Sequence, residues 1–158
     1  MSSPRWIADE MLGRLARYLR FVGCDTLYLR GVSDDAILSR ARLEDRIVLT
    51  RDRDLARRAP RSLLLASPYI REQWIAVRRA WPDVPSEVRF DRCSLCNGAL
   101  APYRSGTEPE REQDLPQGRV DAGLAVWKCA DCGHLYWEGS HTEYLRQRIA
   151  QWGAEGRP

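Results

Sequence analysis

The chain has 158 residues with 25 basic and 22 acidic side chains, a formal net charge of +3 and 44% hydrophobic residues. That length allows one compact domain or a smaller one with an added module. No apolar run approaches the roughly 18 residues of a membrane span, and "MSSPRWIADEML" lacks a basic segment followed by an apolar core, so a cytoplasmic protein with no membrane partner is expected. Residues 1–90 hold 17 basic and 12 acidic side chains and residues 91–158 hold 8 and 10, so the first part is basic and the second mildly acidic.

In chain order, Trp6, Ile7 and Ala8 read as a short strand running into Asp9 and Glu10. Leu12, Leu15, Ala16, Leu19 and Val22 recur at three and four residues, which predicts a helix over 11–22 closed by Gly23. Asp25 to Leu29 is a second strand, and Ser33 caps a helix that opens with Asp34 and Asp35. Ile47 to Thr50 is the third strand, followed by a short helix to about Ala59; Ser62 to Ala66 is the fourth, and Tyr69 to Trp81 a helix. Short strands alternating with helices predict an α/β layer sandwich with a mainly parallel sheet. Residues 1–81 form this domain, the proline-marked 82–91 a linker, and 92–158 a second unit with a C-terminal helix.

The second unit carries "CSLC" and "CADC", each followed closely by a glycine, Gly98 and Gly133. Two such knuckles present four thiolates to zinc, so Cys93, Cys96, Cys129 and Cys132 are the expected ligands of a structural ion in a small zinc ribbon. Disulfides are disfavoured in a cytoplasmic chain, and a redox pair would place its CxxC at a helix start. The insert "RSGTEPEREQDLPQG" reads as a mobile loop. Cys24 reads as a small buried side chain, and His134 as non-ligating.

Parallel sheets bind ligands outside the carboxyl ends of their strands. Asp9 and Asp52 stand at such ends, and Asp34 follows the second strand. Like charges gathered there need a cation, and magnesium or manganese suits oxygen ligands and phosphodiester hydrolysis. Helix capping is the competing account of Asp34, Asp35 and Asp54. Arg14, Arg17 and Arg20 recur every three residues as a basic stripe that, with Arg51 and Arg53, suits a nucleic-acid backbone; solvated helix charge is the plain alternative. Tyr18, Trp74 and Trp81 fit base stacking or the core equally well, and His141 is a candidate substrate contact.

The segments "DEMLGRLARYLRFVGCDT", "DDAILSRA", "IVLTRDRDL", "RCSLCNGAL" and "YWEGSH", in that order, resemble the PIN-like RNase domain found at the C-terminus of the exonuclease Mut-seven and as free-standing bacterial and archaeal proteins. The resemblance spans nearly the whole chain. It implies a PIN-like Rossmannoid fold with a C-terminal zinc ribbon, an acidic metal site at Asp9, Asp34 and Asp52, and RNA as substrate. Cys24 departs from the larger residue usual there, and the insert between the knuckles is unusually charged. The expected function is therefore a ribonuclease dependent on magnesium or manganese, with Asp35 and Asp54 as second choices for the metal. Its partner is single-stranded or structured cellular RNA, and the oligomeric state is open. A non-catalytic RNA-binding adaptor and a toxin-like PIN protein are the alternatives.

Overall fold

The structure, a computed structural model, describes residues 4–155. Four strands, β1 (Trp6–Ala8), β2 (Thr26–Tyr28), β3 (Ile47–Thr50) and β4 (Ser62–Leu64), form a parallel sheet in the order β2-β1-β3-β4. The pairing sets Trp6 beside both Thr26 and Ile47, and Val48 beside Ser62. The two central strands are buried along their whole length, which is why "WIA" and "IVLT" are unbroken runs instead of alternating ones.

The period of two along these strands divides the core into two layers. Trp6, Ala8, Ile47 and Leu49 face one cluster, and Ile7 and Val48 the other. The second cluster is completed by α2 (Asp34–Leu43) and α3 (Arg53–Arg58) through Ile37, Leu38, Ala41 and Leu55. The first is completed by α1 (Gly13–Phe21) and α4 (Ile70–Ala80) through Leu15, Leu19, Trp74 and Val77. The expected layer sandwich is thus present. Tyr18 and Trp74 are core residues, and the Trp81 ring meets Trp6 edge-on at 4.7 Å.

A second sheet, antiparallel in the order β5-β6-β7, is built from β5 (Leu100–Tyr103), β6 (Val126–Cys129) and β7 (Leu135–Trp137). The insert between β5 and β6 is not the bare loop expected. It holds a 3₁₀ turn (Pro109–Arg111) and α5 (Gln117–Asp121), and Leu115 is buried against Val126 and Leu135. The Glu112 carboxylate draws it in by accepting from the Tyr103 hydroxyl at 2.6 Å and the Gly106 N–H at 2.7 Å.

The last helix, α6 (Ser140–Glu155), returns to the first sheet. Its Leu145, Ile149 and Trp152 join the cluster under α1 and α4, where Tyr18 stacks on Trp152 with centroids 5.4 Å apart. Val84, inside the 82–91 segment, is 1% exposed in the same cluster. No helix among the described residues is long and apolar enough to cross a membrane.

Candidate functional site

β1 and β3 run side by side, so their carboxyl ends deliver the residues that follow to one edge. Asp9 comes directly after β1, with its N–H bonded to the Leu49 carbonyl at 3.1 Å. It is 5% exposed. Its Oδ1 accepts from the Met11 N–H at 2.9 Å, and its Oδ2 accepts from the Thr50 hydroxyl. Thr50, fully buried at the end of β3, also accepts from the Asp52 N–H at 2.9 Å. One hydroxyl therefore ties Asp9 to the backbone of Asp52 across two strands.

Asp52 caps α3: its Oδ1 accepts from the N–H groups of Asp54 and Leu55 at 2.7 and 3.0 Å. The cap is thus real, yet it accounts for one oxygen of Asp52, and Oδ2 has no hydrogen bond among the described residues. Asp34 and Asp35 open α2 beneath Ser33, whose Oγ accepts from the Ala36 N–H. Both pair with Arg58, Asp34 at 3.7 Å. Asp54 turns outward to Arg57. Glu10 reaches the loop after β2, where Oε2 accepts from the Gly31 N–H at 3.2 Å, and its carbonyl accepts from the Tyr28 hydroxyl. The start of α1 can lie on that tyrosine ring only because residue 13 is glycine; a Cβ there would sit 2.7 Å from the ring. Among the described residues, these carboxylates do not form a set of three or more oxygens within 4.8 Å of one another.

The arginines divide. Arg14 and Arg17 are exposed on α1, whereas Arg20 is buried, with Nε on the Thr26 carbonyl at 2.8 Å and Nη1 on the carbonyls of Ser94 and Leu95 at 3.1 and 3.0 Å. Its guanidinium is spent on holding the first cysteine knuckle against α1, and burial lowers its pKa. Arg51 is half-buried with an Nε that has no partner among the described residues, and Arg53 is exposed; with Asp52, Asp54 and Arg57 they line a shallow depression.

The sulfur atoms of Cys93, Cys96, Cys129 and Cys132 lie within 4.8 Å of one another, with Cys93 to Cys132 at 3.7 Å and Cys96 to Cys129 at 3.4 Å. A tetrahedral ion with Zn–S bonds of about 2.3 Å separates its sulfurs by about 3.8 Å, so the donor set and spacing fit a metal. All four are free thiols. Burial opposes ionisation of Cys93, but the Tyr136 hydroxyl and the N–H groups of Cys96 and Leu95 outweigh it and bring the thiol to about 7. Burial drives Cys96 the other way, as it does Cys132. The knuckles are tight. A Cβ on Gly98 would fall 2.8 Å from the Cys129 sulfur, and Asn97 adopts a φ of 70°. Asn97 then reaches the edge strand β2, accepting from the Thr26 N–H at 2.9 Å and donating to Asp25 at 2.8 Å. Neither histidine belongs to the cluster; both are exposed, and His141 lies edge-on to Phe21 with centroids 6.5 Å apart. Cys24 is 2% exposed, and burial pushes its thiol up to about 11.

Sequence reasoning overlooked Thr50, Asn97 and Tyr136. The "CNG" after the first knuckle does carry a turn signal for Asn97, since Asn tolerates the left-handed region. Nothing in the local sequence marks Tyr136 as a donor to Cys93, because that contact spans 43 residues.

A family model described as the Mut7-C RNAse domain matches residues 4–149, which takes in the parallel sheet, both cysteine knuckles and most of α6. The chain belongs to the Mut7-C RNAse domain family. Membership brings ribonuclease-type chemistry and RNA as the substrate class. No curated protein and no solved structure matches the chain.

Proposed function

We propose that this Mut7-C protein is a divalent-metal-dependent ribonuclease whose centre is the carboxyl edge of the parallel sheet. The observation that carries this reading is the pair Asp9 and Asp52 just past the carboxyl ends of adjacent parallel strands, joined through the Thr50 hydroxyl, with one oxygen of Asp52 free among the described residues. Magnesium or manganese, held through one or two carboxylates with the rest of its shell water, suits such a sparse oxygen set and supplies Lewis acidity for phosphodiester hydrolysis.

In this reading Asp9 is fixed in orientation by two donors and sets the negative charge of the edge. Asp52 would offer its free oxygen to the cation, and Asp34 would contribute from the start of α2, since its Arg58 partner stands off at 3.7 Å, with Asp35 and Asp54 as lesser candidates because arginines hold them more closely. Arg14, Arg51 and Arg53 hold the RNA phosphates close by, where exposed guanidinium groups bind without reading sequence. The cysteine centre holds zinc and keeps the ribbon folded.

The test is cleavage of mixed RNAs by zinc-loaded protein dialysed free of magnesium and manganese, with and without added manganese. Parent protein should cut only with the added ion, and Asp52→Asn should lose about a hundredfold or more in rate while its thermal midpoint stays within a few degrees, because Asn still caps a helix. Cleavage by Asp52→Asn at the parent rate defeats the assignment. The pairing of Asp34, Asp35 and Asp54 with arginines favours one second reading, an RNA-binding adaptor that does not cut; it predicts RNA affinity without manganese-dependent products.

A further inference from the structure

A cavity of about 370 Å³ lies away from the carboxyl edge, where the C-terminal end of α1, the 88–92 segment, the ribbon and the start of α6 meet. Its size is that of a small-molecule site. Phe21, Phe90, Trp137 and His141 give it aromatic walls, and the exposed Arg17 and Arg89 line it as well. The ion pairs among the described residues leave Arg17 out. Arg89 is held only by the exposed Glu87 at 3.0 Å, a pair that solvent makes easy to exchange.

α1 runs from the carboxyl edge, just after Asp9, to Phe21 in the cavity lining. Arg14 and Arg17 are successive neighbours on one face of α1, and α1 spans about 12 Å from Gly13 to Phe21. α6 meets it at two points: His141 at its start lies against Phe21, and Trp152 near its end stacks on Tyr18. Arg148 of α6 shares a second depression with Arg14 and the exposed ring of Tyr69, so basic groups from both helices border the way from the edge.

Arg92 also lines the cavity but is engaged by Asp25 and the Asn97 carbonyl, so aromatic walls with two exposed cations beside them match a nucleotide, whose base stacks and whose phosphate stays in water. We propose that this cavity receives one unpaired base of the RNA strand whose backbone runs along α1 from the carboxyl edge, with Arg17 and Arg89 on the adjoining phosphates. The proposal rests on the ribonuclease reading for its substrate, and it adds a subsite that fixes the register of the strand. A base held there makes cleavage occur at a set distance from an unpaired nucleotide.

The test is an abasic scan. A single-stranded RNA oligonucleotide is prepared with one base removed at each position in turn, and binding to zinc-loaded full-length protein is measured by fluorescence anisotropy without magnesium or manganese. One position should lose about tenfold in affinity and the others little, the scale of a single stacking interaction. In His141→Ala and Phe21→Ala that penalty should vanish, the two effects being non-additive; in His141→Phe it should persist. Because Phe21 is half-buried, circular dichroism checks its folding, and the exposed His141 carries the test if Phe21→Ala fails. Uridine monophosphate alone should bind far more weakly than the oligonucleotide.

A scan flat at every position overturns the subsite, as does a penalty unchanged in both alanine variants, an absence of RNA binding, or uridine monophosphate binding as tightly as the strand. Manganese-dependent cleavage with a flat scan leaves the nuclease and removes the subsite. A position-specific penalty without cleavage does the reverse.

Discussion

Four sulfurs converge within 4.8 Å of one another at the ribbon, whereas the carboxylates at the edge of the parallel sheet stay tied to separate duties as caps and arginine partners. The difference lies in how each group reaches its place. A CxxC knuckle fixes two ligands within one turn, so only two pieces must meet, and they meet through the β5 to β6 ladder that sets Leu100 beside Cys129. Asp9, Asp34 and Asp52 come from three separate strand-to-helix turns, where Asp9 and Asp52 first satisfy backbone N–H groups locally and Asp34 is drawn to Arg58. A closed thiolate centre stabilises the fold outright.

The largest effect expected from breaking this contrast is at the thiolates. Structural zinc contributes on the order of 10 kcal/mol to small domains of this kind, more than a three-stranded ribbon can replace with its own core. Cys129→Ser should therefore drop zinc content from one per chain to near zero and speed hydrogen exchange throughout β5, β6 and β7. The Thr26 N–H should lose protection with them, since its partner is Asn97 of the knuckle. α1, α4 and α6 should stay protected, because they share a core that does not include the ribbon. Simultaneous loss of all helical circular dichroism would contradict this picture.

The next effect lies where the two regions are joined. Asp25 accepts from Arg46 at 2.8 Å and from Asn97 at 2.8 Å, and the Arg46 side chain is only 4% exposed. Breaking a buried pair costs about 3–5 kcal/mol, but Glu44 still holds Arg46 at 2.7 Å, so Asp25→Asn should cost about 2 kcal/mol in urea unfolding. Burial raises the pKa of Asp25, yet these hydrogen bonds outweigh it and hold it below the usual aspartate value. A depressed carboxylate stabilises the fold above its unfolded pKa of about 3.9 and loses that stabilisation as pH falls through the folded value. The parent should weaken in that acid window, and Asp25→Asn should be flatter there. Equal acid sensitivity in both proteins excludes Asp25 as the source.

Smaller again is the effect of Thr50→Val, which keeps shape but strips a donor from Asp9 and an acceptor from the Asp52 N–H. Two buried or half-buried groups then lack partners, for a loss of about 1.5 kcal/mol. Manganese-dependent cleavage should fall further than stability does, since Asp9 loses its fixed orientation. A variant with reduced stability and full activity leaves Thr50 a purely structural residue.

Much of this was legible in the sequence, because most of the signals are local. The unbroken runs at β1 and β3, the apolar stripe of α1, the cap at Ser33 and both knuckles are patterns of a few neighbours. Arg20 shows where such reading stops. Its spacing with Arg14 and Arg17 is right for a stripe, but the helix turns by about 100° per residue, and at position 20 that turn meets the Ser94 and Leu95 carbonyls, 74 and 75 residues away. The insert misled for a similar reason: its charge reads as loop, while Leu115 and Glu112 find partners in strands on either side of it.

That division of the stripe sets the last and smallest effect on the fold. Arg14 and Arg17 are exposed and absent from the ion pairs among the described residues, so Arg14→Ala with Arg17→Ala should change stability by less than about 0.5 kcal/mol. RNA affinity should fall, and the slope of log affinity against log salt should shrink by about 0.7 for each phosphate of a single strand that is no longer neutralised, or roughly 1.4 for the pair. Arg20→Ala should do the opposite, lowering stability by leaving the Ser94 and Leu95 carbonyls without their donor while leaving the salt slope unchanged. An Arg20 variant that flattens the slope with its stability intact returns that residue to the RNA surface. A double variant with the parent slope instead reduces Arg14 and Arg17 to solvated charge, and the RNA path along α1 goes with them.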